Sequence, residues 1–537
     1  YTLSEATKTL VKELDDIVYF KVYLDGDFPA GFKKLRNETK EMLDEFRAYN
    51  KNIQYEFINP SASEDKTIRT GLYQQLMGKG LQPTTVQSDK NDVQSQQIIF
   101  PGALVSHKTK ELPLQLLISQ MGVPPEAQIN SSVQAMEFNI ANAIKKLTVI
   151  KKPKIAFIQG HGELSGISLA SIKASLSEYY DVEDVRLDEK IQSLTIHREI
   201  DSGKTVISNK YKAIIIAKPD SIFSEKDKFI IDQFIIRGGS SLWLIDPVFA
   251  SMDSLQHKGE TFGFAKRLNI EDQLFKYGVR LNTNLIMDLS CVGIPLNTQP
   301  YGSQPKFQFF PWYYSPVIFP LLSHPVIANL NAVKTEFISS IDTVSASGIK
   351  KTILLASSEY SKTLNTPARI SLDIIREKNI EESFNNPYNP VAVLLEGKFE
   401  SIFKNRMTPE LLDEESIGFL EKDSSSKMII ISDGDIIKNQ VQWEQGKPRP
   451  YPLGVDKYSG TEYGNSDLIV NAVNFLCDDS GLISVRSREL KIRLLDKTKI
   501  TNDKLFWQLL NTIIPILLIS LLGVVLLFIR KRKYQKD

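Results

Sequence analysis

Four polar side chains follow predicted strands of a parallel sheet, and they are the residues of this sequence best placed to do chemistry. His161 and Glu163 come directly after the apolar segment 154–159, while Asp246 and Asp433 follow two further apolar strands. A histidine beside a carboxylate can move protons, and ligands of doubly wound sheets bind outside the carboxyl ends of the strands. The pattern therefore predicts a ligand-binding crevice at these four residues.

The remaining histidines have no ligand-like spacing to His161. One histidine with one glutamate is too few for a structural zinc site, so the sequence predicts no metal and no cofactor. A second interpretation of the four side chains stays open, in which they satisfy nearby backbone groups and cap helices.

Two short motifs are similar to catalytic signatures but fail on spacing. The Gly-Lys-Thr triplet at 203–205 has Arg198 where a phosphate-binding loop needs a glycine. Cys291 has Leu289 where a nucleophile elbow needs its first glycine. We therefore predict no ATPase activity and no catalytic residue in this chain.

An aromatic run at 307–319 is the strongest candidate for a protein contact. Its prolines argue against a regular helix or a central strand, so the pattern predicts an irregular loop. Aromatic side chains on such a loop suit the energetic centre of an interface, and the predicted partner-binding residues are Phe310, Trp312, Tyr313 and Tyr314. The alternative is a loop that folds onto its own core, because exposed apolar patches are uncommon.

The elements that position these residues fall into two predicted domains. Residues 1–150 have the order β-α-β-α-β-β-α, which resembles a thioredoxin-like fold, but the loop after the first strand has no Cys-x-x-Cys redox motif. Residues 151–483 contain repeated strand–helix units that imply a doubly wound α/β sheet. Ser224 and Asp227 form a capping box there, and an antiparallel insertion is predicted at about 280–425.

The segment 505–529 carries no charge and would be about 37 Å long as a helix, enough to cross a bilayer. The stretch 530–537 that follows it is strongly basic. Positive flanks stay in the cytoplasm, so the prediction places 1–504 in the periplasm, with 484–504 as a juxtamembrane stalk. Gln508 and Asn511 are predicted to contact a permease through helix–helix hydrogen bonds.

Composition supports a folded, multidomain chain. The 537 residues are 42% hydrophobic and 24% charged, with a net charge of +1. This balance argues against a general nucleic-acid binder, which would be markedly basic. The two cysteines, Cys291 and Cys477, do not form a disulfide scaffold, although one bridge between them is possible.

Several segments in order along the chain are similar to one family. They are YTLSEAT at 1–7, VYLDGDFPAGF at 22–32, IQGHGE at 158–163, RGG at 237–239, LWLIDP at 242–247 and RSRE at 486–489. Together they resemble the GldG family, the gliding-motility-associated auxiliary components of Bacteroidota ABC transporters. The resemblance implies a GldF-like permease and a separate GldA-like ATPase as partners, and a further membrane helix before residue 1. It also implies a glutamine-amidotransferase-like fold for the second domain, without that enzyme class's cysteine nucleophile.

Three hypotheses for function follow. The first is a non-catalytic, membrane-anchored periplasmic subunit of an ABC transporter, which couples to the permease or presents substrate to it. A homo-oligomer is compatible with this hypothesis. The second is a solute-binding module that uses the strand-end crevice. The third is a degenerate hydrolase or amidotransferase, which lacks a nucleophile.

Overall fold

The computed structural model of the protein describes residues 2–90, 93–200, 204–255, 259–299, 304–320, 324–377, 379–406, 418–487 and 503–534. The chain divides into two compact units, Tyr1–Arg488 and Glu489–Asp537. The helices of the described residues are α1 Glu5–Lys12, α2 Ala30–Tyr49, α3 Lys66–Gly78, α4 Pro125–Thr148, α5 Ala170–Ser177, α6 Glu225–Ile236, α7 Glu271–Tyr277, α8 Asn465–Cys477 and α9 Lys504–Tyr534.

The strands follow the chain in two groups. The first group is β1 Val18–Val22, β2 Ile53–Phe57, β3 Thr84–Lys90, β4 Val93–Ile99, β5 Gly102–His107, β6 Lys110–Gln115, β7 Lys154–Gln159, β8 Asp181–Arg186, β9 Thr195–Ile200, β10 Lys204–Asn209, β11 Ala213–Ala217 and β12 Ser240–Leu244. The second group is β13 Val248–Phe249, β14 Glu260–Ala265, β15 Val279–Leu281, β16 Asn284–Asp288, β17 Cys291–Asn297, β18 Phe307–Ile318, β19 Val333–Lys334, β20 Ile341–Thr343, β21 Ile349–Ala356, β22 Ser361–Asn365, β23 Ala368–Ser371, β24 Pro390–Gly397, β25 Ser426–Ile431, β26 Val441–Glu444 and β27 Lys447–Pro450.

The first sheet has four strands in the order β2-β1-β5-β6. β1 pairs in parallel with β2 and antiparallel with β5, which pairs antiparallel with β6. Val18, Phe20 and Val22 of β1 are buried in the core that α2 and α4 also line, as the period of two in a strand requires. The predicted order of elements is present, with helix α1 before it and the hairpin β3–β4 within it as additions that the sequence pattern did not indicate.

The second sheet has seven strands in the order β21-β24-β25-β12-β11-β7-β8. β25, β12, β11, β7 and β8 are parallel, whereas β24 and β21 extend the sheet antiparallel at one edge. Alternate residues of the parallel strands enter two different cores. One core contains α5 and α8, and the other contains α6 and α7. Helices therefore cover both faces, which is why the strands read as nearly continuous apolar runs.

The core on the α5 and α8 side is continuous with the core of the first sheet. Phe138 and Ile144 of α4 belong to the same apolar cluster as Leu468 and Val473 of α8. Residues before and after position 150 are thus held by shared hydrophobic packing, which is non-directional and proportional to buried area. The domain boundary at 150 stays a prediction.

The aromatic run is not an irregular loop, so that prediction is wrong. Residues 307–318 form β18, the middle strand of the sheet β17-β18-β19. Pro311 and Pro316 lie opposite Gly293 and Cys291, on either side of a register shift in the β17 pairing. A bulge leaves backbone groups unpaired, so residues without an N–H can be placed there and the ladder can continue beyond them.

The last described helix, α9, contains the predicted segment 505–529 and is long and apolar enough to cross a membrane. Lys531, Arg532 and Lys533 lie in its last turn. Gln508 and Asn511 lie in its first half, and the Thr512 hydroxyl donates to the backbone carbonyl of Gln508 at 2.7 Å. Most of the predicted stalk (488–502), and residues 535–537 of the tail, lie outside the described residues.

Candidate functional site

The loop after β7 places His161 and Glu163 at the carboxyl end of the second sheet. Gly160 and Gly162 have φ of +128° and +76°, a backbone conformation that residues with a side chain rarely adopt. The backbone carbonyl of His161 accepts hydrogen bonds from the N–H groups of Asp220 and Ser221, both at 2.8 Å. A Cβ at position 162 would lie only 3.1 Å from that of Asp220. The two glycines therefore let this loop turn back against the neighbouring strand end.

His161 lies between two carboxylates. Its Nδ1 is 3.0 Å from Glu163 Oε1, its Nε2 is 3.0 Å from Asp227 Oδ2, and its backbone N–H donates to Glu163 Oε2 at 2.7 Å. The ring of Phe223 stacks on the imidazole with centroids 3.7 Å apart. Only 3% of His161 is exposed. Burial opposes its charged form, but the hydrogen bonds to Asp227 and Glu163 outweigh it and raise the pKa of His161 to about 9.

Asp227 completes this cluster, and the sequence analysis assigned it only to a capping box. The Ser224 hydroxyl does accept from the Asp227 N–H at 3.1 Å. The Asp227 carboxylate, however, binds His161 and accepts from the Glu189 N–H at 2.9 Å. Both ring nitrogens of the imidazole are therefore engaged inside the protein, which favours a structural role for His161.

Asp246 and Asp433 belong to a second cluster, centred on Lys218. The Lys218 ammonium lies 3.0 Å from Asp246 Oδ2 and also contacts Asp435. Asp246 accepts from the N–H of Gly434, which joins the ends of β12 and β25. A Cβ at position 434 would lie 2.6 Å from that of Lys218, so glycine is required for this close approach. Lys218 follows β11 directly. A single lysine at the end of an apolar strand is the only sequence feature that could have indicated its role.

Asp433 is fully buried and bound by backbone groups. Its carboxylate accepts from the N–H groups of Asp435 at 2.7 Å, Ile436 at 3.2 Å and Glu336 at 2.9 Å. Burial raises the pKa of Asp433 and of Asp246 above the usual range, and the Lys218 ammonium opposes this in both. The structure thus divides the four predicted crevice residues between two internally bonded clusters, one at His161 and one at Lys218.

The carboxylates of Asp246, Asp433 and Asp435 have one oxygen each within 4.8 Å of one another, which is close enough to hold a metal ion. Oxygen donors of this type suit Ca²⁺ or Mg²⁺. The Lys218 ammonium, however, already contacts two of the three carboxylates. An internal cation therefore supplies the positive charge that this donor set requires.

A cavity of about 640 Å³ lies beside the Asp433 loop, a volume typical of small-molecule sites. Asp435, Glu336, Lys334 and Trp312 are among the residues that line it. Burial, followed by the charge of Asp435, raises the pKa of Glu336 to about 7 against the attraction of Lys334. The Trp312 Nε1 is buried without a hydrogen-bond partner among the described residues.

Three of the four predicted partner-binding aromatics are buried. Trp312 and Tyr314 are 1% exposed and Tyr313 is 8% exposed, whereas Phe310 is half-buried. Trp312 and Tyr314 have ring centroids 5.1 Å apart, and Tyr313 packs on Phe384 at 5.4 Å. They belong to the core of the antiparallel region. Consecutive residues of β18 are buried from Trp312 onward, so both faces of the strand are covered there.

The two thiols are unsuited to nucleophilic chemistry. Burial raises the pKa of both Cys291 and Cys477 to about 12, so neither is a thiolate at neutral pH. Both cysteines are free in the structure.

The comparison with known families agrees with a transport role. Residues 152–472 match the family model described as "ABC-type uncharacterized transport system". The chain belongs to this family. Residues 1–106 match the domain of unknown function DUF7088. Membership of the ABC transport system family identifies an auxiliary transporter protein and suggests a non-catalytic role.

Among the curated proteins, none matches this ABC transport family member significantly in sequence. Among solved structures, the chain is similar to the mmIFT52 N-terminal domain at 11% sequence identity and a TM-score of 0.32. That match covers 60% of this chain and 98% of the other.

The His161 cluster predicts a pH-dependent stability. The folded-state pKa of about 9 lies above the ordinary 6.5, so the stabilisation is complete below pH 6.5 and is lost as the pH rises through 9. It amounts to about 3 kcal/mol. In thermal unfolding of the full chain, the His161→Gln variant should melt at a much lower temperature than the natural sequence at pH 6. The difference in melting temperature should be smaller at pH 9.5. His197→Gln is the matched control. An equal gap at both pH values would contradict the imidazolium assignment.

The Lys218 cluster predicts that a divalent cation can replace the lysine. Lys218 has φ of +54°, which asparagine tolerates, so Lys218→Asn removes the charge without new backbone strain. Loss of one partner of a buried ion pair should cost about 3–5 kcal/mol. Ca²⁺ should raise the melting temperature of this variant but not of the natural chain or of Lys438→Asn. Equal Ca²⁺ stabilisation of the natural chain would show that the carboxylates bind metal despite Lys218.

Proposed function

We propose that this protein is a non-catalytic auxiliary subunit that α9 anchors in the membrane next to the permease of an ABC transporter. The observation that carries the proposal is α9 itself, an apolar helix of membrane-spanning length in a chain of the ABC transport family. The basic residues follow the apolar segment, so the positive-inside rule places that end in the cytoplasm and residues 1–487 in the periplasm. The energy for transport then comes from a separate ATPase.

Finer parts of the proposal rest on sequence resemblance and on topology. The resemblance to the GldG family supports a GldF-like permease, a GldA-like ATPase and a role in gliding motility. The strand order β2-β1-β5-β6 supports a thioredoxin-like fold for residues 1–150. The parallel sheet with helices on both faces supports an amidotransferase-like fold for the second domain.

Solute binding is a second candidate, and one observation favours it. The cavity beside the Asp433 loop is lined by Glu336 and by Trp312, whose buried indole N–H has no hydrogen-bond partner among the described residues. Asp433 would then position part of the wall of this cavity, because its carboxylate accepts from the N–H of Glu336 at 2.9 Å.

The orientation can be tested in cells. Protease added to spheroplasts should digest residues 1–487 and spare an epitope placed after Asp537, because the basic flank stays in the cytoplasm. The same treatment of lysed spheroplasts is the control, and it should remove the epitope as well. A body that resists digestion until lysis would contradict the periplasmic assignment.

The permease contact predicts a role for one face of α9. At 100° per residue, Gln508 and Asn511 lie within one side of the helix and Leu517 lies opposite Gln508. Interhelical hydrogen bonds in membranes average about 0.6 kcal/mol each, so Gln508→Leu with Asn511→Leu should lower permease copurification several-fold. Leu517→Ala is the matched control. Full recovery of the permease with the double variant would place the contact elsewhere.

A further inference from the structure

Three phenylalanines lie exposed on one face of a small antiparallel sheet, which has the order β13-β14-β23. Phe249 of β13 lies opposite Phe264 of β14, and Phe262 lies two residues before Phe264. The period of two in a strand therefore puts the three rings on the same face. Phe249 and Phe264 are 54% exposed and Phe262 is 48% exposed. The rings of Phe262 and Phe264 have centroids 6.3 Å apart. We call these three side chains the phenylalanine face.

The opposite face of the same sheet is packed on the protein's own core. A Cβ at Gly263 would lie 3.1 Å from Val248 Cγ1 and 3.3 Å from Leu285 Cδ1. Val248, Leu285 and Ile370 are buried and belong to the core of the antiparallel region. The three strands are thus held from one side, and the phenylalanine face is apolar surface that the fold leaves in water.

The area of the phenylalanine face indicates a contact, but a weak one. A buried phenylalanine covers about 150–250 Å², so three half-exposed rings present roughly 300 Å². Apolar patches of about 300–600 Å² are the largest on a typical monomer and are often functional. A stable interface buries about 800 Å² on each partner. We therefore expect a contact that forms only where its partner is concentrated.

The charges around the phenylalanine face are of both signs. The charged residues of the three strands are Glu260 and Arg369, and Arg369 Nε and Nη2 donate to Glu260 Oε2 at 3.0 and 2.7 Å. Beyond the other end of β14, the Lys266 ammonium lies 2.8 Å from Asp220 Oδ1. Arg267 adds one exposed cation, whereas anionic lipid surfaces attract clusters of about four to eight. These charges therefore disfavour a lipid surface as the partner.

A second copy of this chain has the properties that the phenylalanine face requires. An isologous contact presents the same patch from both sides, so a patch with a cation and an anion at each end meets an opposite charge for each of them. Two sheet faces can pack about 10 Å apart with their side chains interdigitated. Copies held by α9 in one membrane share one orientation and have a raised effective concentration, which is what a weak contact needs.

We infer that the phenylalanine face is the contact between two copies of this chain, related by a two-fold axis and anchored in the same membrane. The inference rests on the membrane anchoring by α9 that is proposed above, and it adds a partner that the proposed function does not assign. Phe264 lies between Phe249 and Phe262 on the face, so it is the residue nearest the centre of the contact.

The test counts subunits in a membrane. The full chain with one fluorophore after Asp537 is reconstituted in liposomes, and photobleaching steps are counted over a range of protein-to-lipid ratios. The natural chain should pass from one step to two as the ratio rises. Phe262→Thr with Phe264→Thr should need a ratio about tenfold higher or more, because the rings lose their burial at the contact, and threonine keeps the propensity for a strand. Phe307→Thr with Phe309→Thr, at exposed positions of β18, is the matched control and should change nothing.

A crosslink tests the same contact without relying on the folding of the double variant. Phe264→Cys should be joined to a second copy by a short bismaleimide, whereas Phe309→Cys and the natural chain should not. A natural chain that floats with the liposomes but stays monomeric at every ratio would overturn the inference and leave the anchor intact. Dimerisation of the Phe262→Thr, Phe264→Thr variant at the natural ratio, or a Phe264→Cys chain that does not crosslink, would also overturn it.

Discussion

The ammonium of Lys218 is the counter-charge that lets the carboxyl ends of three adjacent strands meet. β11, β12 and β25 end side by side, and the loops after them bring Asp246, Asp433 and Asp435 together. Three carboxylates in such a place would repel one another and lose their hydration. Lys218 offsets both effects, and Gly434 leaves the room that its side chain needs. The His161 cluster follows the same principle at the end of the neighbouring strand, β7, where the imidazolium is the cation between Glu163 and Asp227.

The parallel strands were predictable because their burial on both faces leaves a continuous apolar run, as in 154–159, that no exposed element shares. Helix α6 was predictable from Ser224 and the glycines at 238–239, which are local signals. The pairing of the Asp227 carboxylate with His161 was not predictable, because His161 follows a strand that is distant in sequence. Local capping and long-range pairing use the same residue types.

The aromatic run shows a second limit of sequence reasoning. Pro311 and Pro316 argue locally against a central strand, yet β18 is one, because the register shift opposite Cys291 and Gly293 places both prolines where they can be accepted. A bulge is a property of two strands together. A cavity of about 720 Å³ lined by α4 and α8 was hidden for the same reason, since its lining residues come from separate parts of the chain and carry no motif.

The hydrophobic core shared by the first sheet and the α5 and α8 side of the second has a mechanical consequence. Binding proteins that close like a clamshell need a hinge between lobes with little buried apolar area. Here, rotating residues 1–150 away from α8 would expose side chains such as Phe138 and Leu468 at about 25 cal/mol per Å². The first sheet and the α5 and α8 side of the second sheet are therefore held together by one packed core. The shared core therefore opposes signalling by lobe closure, and a ligand in one of the cavities would have to be sensed at the cavity mouth.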